Sequence, residues 1–166
     1  MKRKLLLFRH AKSSWNQPEL DDRDRPLNDR GRKSVKLIAR RLRKEDLTID
    51  AILCSTSVRT RQTAELVFAK WYERPDITFL DELYHATPDE IRQIVAQVPA
   101  LAETVLVIGH NPGFEELLAE LTEAPQKFST AALAHVELEL EEWREFDSTT
   151  RGELAQMWRP KELERD

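Results

Sequence analysis

Two histidines stand at the ends of two apolar runs. One is His10 in Leu5-Leu6-Leu7-Phe8-Arg9-His10-Ala11-Lys12, and the other is His110 in Val105-Leu106-Val107-Ile108-Gly109-His110-Asn111-Pro112-Gly113. A neutral imidazole, with an ordinary pKa of about 6.5, can attack phosphorus and become a phosphohistidine. A phosphoryl group in transfer spreads negative charge over its equatorial oxygens, so such a nucleophile needs fixed cations around it. Arg9 is adjacent in sequence, although strand alternation sends its side chain the other way unless the strand has already ended. Ser55-Thr56-Ser57-Val58-Arg59-Thr60-Arg61-Gln62-Thr63 offers a second guanidinium. Arg59 falls in a first helical turn, where free backbone N–H groups and the helix dipole favour an anion, whereas Arg61 faces away from it. If the two histidine-bearing strands are neighbours, His110 is placed to donate a hydrogen bond to a phosphoryl oxygen. His85 and His135 lack comparable surroundings and read as surface residues. The pattern predicts a phosphate site with a histidine nucleophile.

Other chemistries fit less well. Cys54 and Arg59 resemble a cysteine phosphatase loop, but four residues separate them where that loop needs five, so Cys54 reads as a buried strand residue. There is no Gly-x-x-x-x-Gly-Lys-Ser/Thr nucleotide loop, no His-Glu-x-x-His zinc helix and no Gly-x-Ser-x-Gly elbow. Asp21, Asp22 and Asp24 lack the calcium-loop pattern and read as a flexible acidic loop.

The elements that must position these groups are legible as patterns. Apolar residues at helical spacing recur in Val35/Ile38/Ala39/Leu42, Ala64/Val67/Phe68/Trp71, Ile91/Ile94/Val95/Val98 and Phe114/Leu117/Leu118/Leu121. Thr87-Pro88-Asp89-Glu90 supplies a capping threonine, a first-turn proline and a reciprocal glutamate. Short apolar runs at 4–8, 51–54, 77–80 and 104–108 lie between the helices, which predicts crossover units and a largely parallel sheet. In such sheets ligand sites gather at the carboxyl ends of strands, where both histidines fall. Ala134, Val136, Leu138 and Leu140 alternate with His135, Glu137 and Glu139, so this strand should have one wet face and lie toward an edge; residues 154–158 could add another strand. Residues 13–28 form a long polar connection directly after His10, of a length that is usually functional or mobile, and it is expected to border the site.

Bulk properties narrow the class further. The chain has 166 residues, 34% charged and 40% hydrophobic, which predicts one folded unit over 1–166 rather than disorder. No apolar run approaches the roughly 20 residues of a membrane span, and the start lacks a signal-peptide pattern, so the expected location is the cytoplasm. A lone cysteine excludes an internal disulfide and disfavours a thiolate zinc site. The net charge of −4 hides an asymmetry: residues 1–61 hold 17 Lys and Arg against 8 Asp and Glu, and the remainder 9 against 22. Eight of these cations, from Arg30 to Lys44, read as the solvated face of one helix, or as a basic rim attracting a phosphorylated or acidic partner. Nucleic acid is disfavoured because no aromatic stacking platform interleaves with the charges.

Taken together, Arg9-His10-Ala11-Lys12-Ser13-Ser14-Trp15, Arg25-Pro26-Leu27-Asn28-Asp29-Arg30-Gly31, Arg59-Thr60-Arg61-Gln62-Thr63-Ala64, Leu83-Tyr84 and Gly109-His110-Asn111-Pro112-Gly113 resemble the histidine phosphatase superfamily, specifically its SixA-type phosphohistidine phosphatase branch. The resemblance runs nearly end to end. It implies a phosphoglycerate mutase-like three-layer α/β/α sandwich with a mainly parallel central sheet, and no metal or other cofactor. It also implies His10 as phosphoryl acceptor, with Arg9, Arg59 and His110 around the phosphate and Lys12 and Asn111 in the same motifs as further binding groups. For a proton donor the chain offers Glu82 first and Asp81 second, although a departing imidazole needs a strong acid less than an alkoxide does. Short connections leave little material for a lid, which suits a phosphorylated protein as partner. The alternatives are a small phosphate ester, handled by a phosphatase or mutase, and a non-catalytic module that binds phosphorylated partners.

Overall fold

The structure is a computed structural model and describes residues 2–164; Met1 and residues 165–166 of the expected 1–166 unit lie outside it. Among the described residues six strands form one sheet: β1 (Lys2–Arg9), β2 (Ala51–Ser55), β3 (Ile77–Leu80), β4 (Thr104–Gly109), β5 (Leu133–Glu139) and β6 (Gly152–Trp158), in spatial order β3-β2-β4-β1-β5-β6. The first four in that order run parallel, and β5 and β6 add antiparallel pairings. The helices are α1 (Asp29–Lys44), α2 (Val58–Val67), α3 (Pro88–Val95), α4 (Gly113–Thr122) and the single turn α5 (Pro160–Leu163).

Strand alternation sorts the apolar runs into two cores. Leu6, Phe8, Ile52, Cys54, Leu106 and Ile108 pack on one face with Val35, Ile38, Leu42, Ala64 and Val67 of α1 and α2. Leu5, Leu7, Leu53, Val105 and Val107 pack on the other with Ile91, Val95, Leu117, Leu118 and Leu121 of α3 and α4. A strand covered on both faces needs an unbroken apolar run, which is why β1 and β4 read as they do. The layers are those of the expected α/β/α sandwich.

Several sequence expectations need adjustment. The helix through Ala64 ends at Val67; Phe68 and Trp71 continue in turns, their rings meeting edge-on at 5.1 Å. The helix opened by Thr87 stops at Val95, with Val98 just before Pro99, whose ring disfavours helical backbone in the residue ahead of it. β5 is the penultimate strand, because β6 pairs outside it. His135 is therefore not a surface residue: it is buried between Leu6 and Gln156, and the wet side of β5 begins only toward Glu137 and Glu139. Among the described residues no helix is long and apolar enough to cross a membrane.

Two glycines let helices approach the chain that carries the histidines. A Cβ at Gly31 would stand 2.2 Å from the Lys12 carbonyl oxygen, and one at Gly113 would stand 2.1 Å from the Ala86 carbonyl oxygen. Both contacts are with backbone, which cannot rotate away as a side-chain end can. We expect Gly31→Ala to lower stability by about 2 kcal/mol, read as a fall of roughly 4–8 °C in the melting temperature. An unchanged melt would show that α1 can shift without cost.

Candidate active site

β1 and β4 are parallel neighbours with Arg9 opposite Gly109, so the residues just past their ends must lie side by side. The His10 N–H donates to the Gly109 carbonyl at 3.0 Å, and the His10 and His110 ring centroids are 5.2 Å apart. On the other side of β4, β2 ends at Ser55, whose Oγ is 2.8 Å from His110 Nε2. Ser57 caps α2 by accepting from the Thr60 N–H, and so starts the helix where Arg59 enters the site. Arg59 Nε donates to His10 Nε2 at 3.4 Å. His10, Arg59 and His110 are all buried.

The tautomer of His10 follows from its partner. His10 Nδ1 lies 2.7 Å from the Ala11 carbonyl oxygen, which can only accept, so Nδ1 carries the ring proton and Nε2 the lone pair. Burial, aided by the nearby Arg59, Arg9 and Arg25 charges, lowers the His10 pKa to about 3 against the opposing pull of the Ala11 carbonyl. Burial, then His10 and Arg59, lowers that of His110 to about 2. Both rings are neutral near pH 7. His110 Nδ1 is buried with no hydrogen-bond partner among the described residues, and Arg9 Nε is in the same state. Arg9 spends Nη1 on the Phe128 carbonyl at 2.9 Å; burial pushes its pKa below the usual arginine value.

The model of the histidine phosphatase superfamily (branch 1) matches residues 5–84. A solved structure from Nakamurella multipartitia, described as a candidate phosphohistidine phosphatase SixA, is 30% identical; the match covers 96% of this chain and 97% of that one, with a TM-score of 0.84. The chain is a SixA-type member of the histidine phosphatase superfamily. The protein histidine phosphatase SixA solved with tungstate is 26% identical over 96% of this chain and 99% of its own, with a TM-score of 0.77. A chloroplastic Arabidopsis thaliana protein is 29% identical over 153 residues, 86% of this chain and 70% of its own length. The phosphoglycerate mutase-like fold class stands with these matches, and superfamily membership supports phosphatase activity.

Not every residue singled out in the sequence of this SixA-type chain reaches the histidine pair. Glu82 does not: it is exposed, its side chain has no hydrogen bond or ion pair among the described residues, and it lies over Leu53, Leu80 and Gln97. The cause is a 3-10 turn at Asp81–Leu83, which drives Leu83 into the core and throws Glu82 outward, while Asp81 and Tyr84, three apart, share a side. Asp81 accepts from Arg23 Nη2 at 2.6 Å and from the Thr56 hydroxyl at 2.5 Å, on the rim. Asn111 is structural: its Nδ2 donates to the Phe128 carbonyl at 2.8 Å and its Oδ1 accepts from the Glu115 N–H at 3.2 Å. Lys12 is exposed and lines a separate depression beside α1. Arg61 turns away, donating to the Thr56 carbonyl, and Cys54 is a buried strand residue whose thiol burial pushes up to about 12.

Sequence reasoning missed three groups. Asp22 is no free loop acid: it accepts from Arg59 through its carbonyl at 2.5 Å and its Oδ2 at 2.8 Å, from Arg25 at 2.7 Å, and from the Tyr84 hydroxyl. Its partial burial would raise its pKa, but the Tyr84 hydroxyl and the two guanidinium groups outweigh this and hold it well below the usual carboxylate range. Tyr84 was read only as a motif residue. His85 is exposed as expected, yet it stacks on Tyr84 at 4.0 Å, meets His110 edge-on at 5.6 Å, and sits in a left-handed conformation with φ of 55°. The available signal was the demand of a buried Arg59 for an acid. Among the described residues no three His, Cys, Asp or Glu side chains are grouped to hold a metal ion.

The lowered histidine pKa values make folding stability depend on pH. Both rings protonate more easily unfolded than folded, so their contribution to stability is present above pH about 6.5 and is lost as pH falls toward about 3. The loss is at most about 1.4 kcal/mol per pH unit for each histidine. Urea unfolding between pH 7 and pH 5 should show a shallower decline in a His10→Asn/His110→Asn double variant than in wild type. Equal slopes would place the acid sensitivity elsewhere.

Proposed function

We propose that this protein hydrolyses phosphohistidine on a phosphoprotein through a phosphorylated His10. The observation that carries the reading is the fixed His10 tautomer, which leaves the lone pair on Nε2, 3.4 Å from Arg59 Nε, on a ring 5.2 Å from that of His110, whose Nδ1 has no partner among the described residues. In the first step His10 Nε2 attacks phosphorus in line, the P–N bond to the substrate imidazole breaks, and that nitrogen takes up a proton from solvent water. Arg59 and Arg9 bear the charge on the equatorial oxygens. If the Ser55 hydroxyl donates to His110 Nε2, then His110 keeps its proton on Nδ1 and donates it to a phosphoryl oxygen. In the second step water attacks the phosphorus, inorganic phosphate departs and His10 Nε2 regains its lone pair.

The preference for a phosphoramidate rests on the acids around the pair. Glu82 is remote, and Asp22 is held ionised by its donors and so is a poor proton source. An imidazole leaving group tolerates that lack better than an alkoxide. The SixA descriptions of the two solved relatives point the same way.

Incubation with a labelled phosphohistidine peptide, followed by alkaline quench and separation by size, should leave label on wild type and none on His10→Ala. Label retained by His10→Ala would overturn the nucleophile assignment. Arg59→Lys, which keeps the charge but loses the planar fork, should lower kcat/KM on the same peptide by about 10²-fold. A panel that also includes phosphoglycerate and sugar phosphates should show the peptide turned over fastest.

A further inference from the structure

A depression of about 450 Å³ is bounded by the start of α1, the loop before β5 and the short α5. Its walls carry Lys12, Arg30, Lys127, Arg159 and Lys161. Arg159 is committed: it donates to the Lys127 carbonyl at 2.9 Å and to Glu162 at 3.2 Å, stapling the loop to α5. Lys12, Arg30, Lys127 and Lys161 are exposed, and none makes an ion pair or side-chain hydrogen bond among the described residues. Two acids share the rim: Glu162, already taken by Arg159, and Glu164. Four unpartnered cations around one hollow, in a chain with net charge −4, make a local field that attracts anions.

The hollow is tied to the nucleophile by backbone. Lys12 is two residues past His10, which limits their Cα separation to about 7 Å. The Ala131 N–H donates to the His10 carbonyl at 3.0 Å, so the loop that carries Lys127 is bonded to the residue that would be phosphorylated. The Lys12 carbonyl accepts from the Asn28 N–H at 3.0 Å, which sets α1 and Arg30 at the same wall. The hollow and the nucleophile thus share the carboxyl end of β1.

We propose that this cationic hollow recognises carboxylate side chains flanking the phosphohistidine of the substrate protein, and so selects acidic phosphoproteins. The proposal rests on the phosphoprotein reading above. Acidic flanks match the four free cations in sign. Their contacts are solvent-exposed and screened by salt, so they raise encounter rate and specificity more than they hold a tight complex. Of the basic residues on α1, only Arg30, in the first turn, serves this surface.

The test uses the whole chain, the charge-reversal variant Lys127→Glu/Lys161→Glu, and Arg30→Glu on a different element, each checked for a wild-type melt. Substrates are a phosphohistidine peptide flanked by Asp and Glu, the same peptide with neutral flanks, and N-phosphoimidazole, which has no flanks. Wild type should favour the acidic peptide, and about 0.5 M NaCl should erase the preference. Both variants should lose roughly tenfold in kcat/KM on the acidic peptide and less than about twofold on N-phosphoimidazole. Equal losses on both substrates, no loss on either, or no wild-type preference for acidic flanks would each overturn the proposal. Should no phosphoramidate be turned over, the phosphatase reading fails separately, and anisotropy of a labelled, unphosphorylated Asp/Glu peptide still decides: binding by wild type that both variants lose upholds the hollow, and no binding overturns it. Tighter binding of a single-stranded oligonucleotide of equal charge would assign the surface to nucleic acid and reject the acidic protein.

Discussion

The register of one parallel strand pair governs the site. Because Arg9 sits opposite Gly109, the first residues beyond β1 and β4 are imidazoles with centroids 5.2 Å apart. Two protonated rings at that distance, out of water and beside Arg59, would repel strongly, so the arrangement requires neutral histidines. Neutrality is also what a nucleophilic imidazole needs. A slip of one residue in the pairing would turn one strand's side chains over relative to its partner's and separate the rings, so the two apolar cores that lock the register also hold the chemistry in place.

Much of this was legible in the sequence because it depended on local pattern. The unbroken apolar runs of β1 and β4 and the stripes of α1 and α4 fall where their spacing put them, and the capping box at Thr87 and Glu90 forms in full. The convergence of His10, His110 and Arg59 followed from a single topological expectation, that strand ends of a parallel sheet cluster. What escaped was non-local. Asp22 looked like one of three loop carboxylates, and nothing short of the folded loop shows that it alone meets Arg59, Arg25 and Tyr84. Glu82 looked suitable by position, but one 3-10 turn aims it away. His135 sat in an alternating pattern that reads as a wet face, and only the strand added outside β5 reveals its burial.

The electrostatic layout is graded from the centre outward. At the centre the rings carry no charge and two guanidinium groups supply it. Around them Asp22 binds two arginines and a tyrosine hydroxyl into one cluster, which draws the 13–28 connection against α2. The isolated bridge between Ser13 and Leu27 pinches the ends of that connection together. A segment that looked like a mobile acidic loop is thereby an ordered wall of the pocket.

That Asp22 clamp also meters how much of Arg59 is on offer. A guanidinium has five N–H groups. Here Nε points at His10, one hydrogen of Nη1 goes to the Asp22 carbonyl, and one of Nη2 goes to its carboxylate. Two remain, one on each terminal nitrogen, on a group that cannot rotate without breaking its hold on the loop. An incoming anion therefore meets a donor already aimed and half engaged, and it must fit that orientation rather than choose its own.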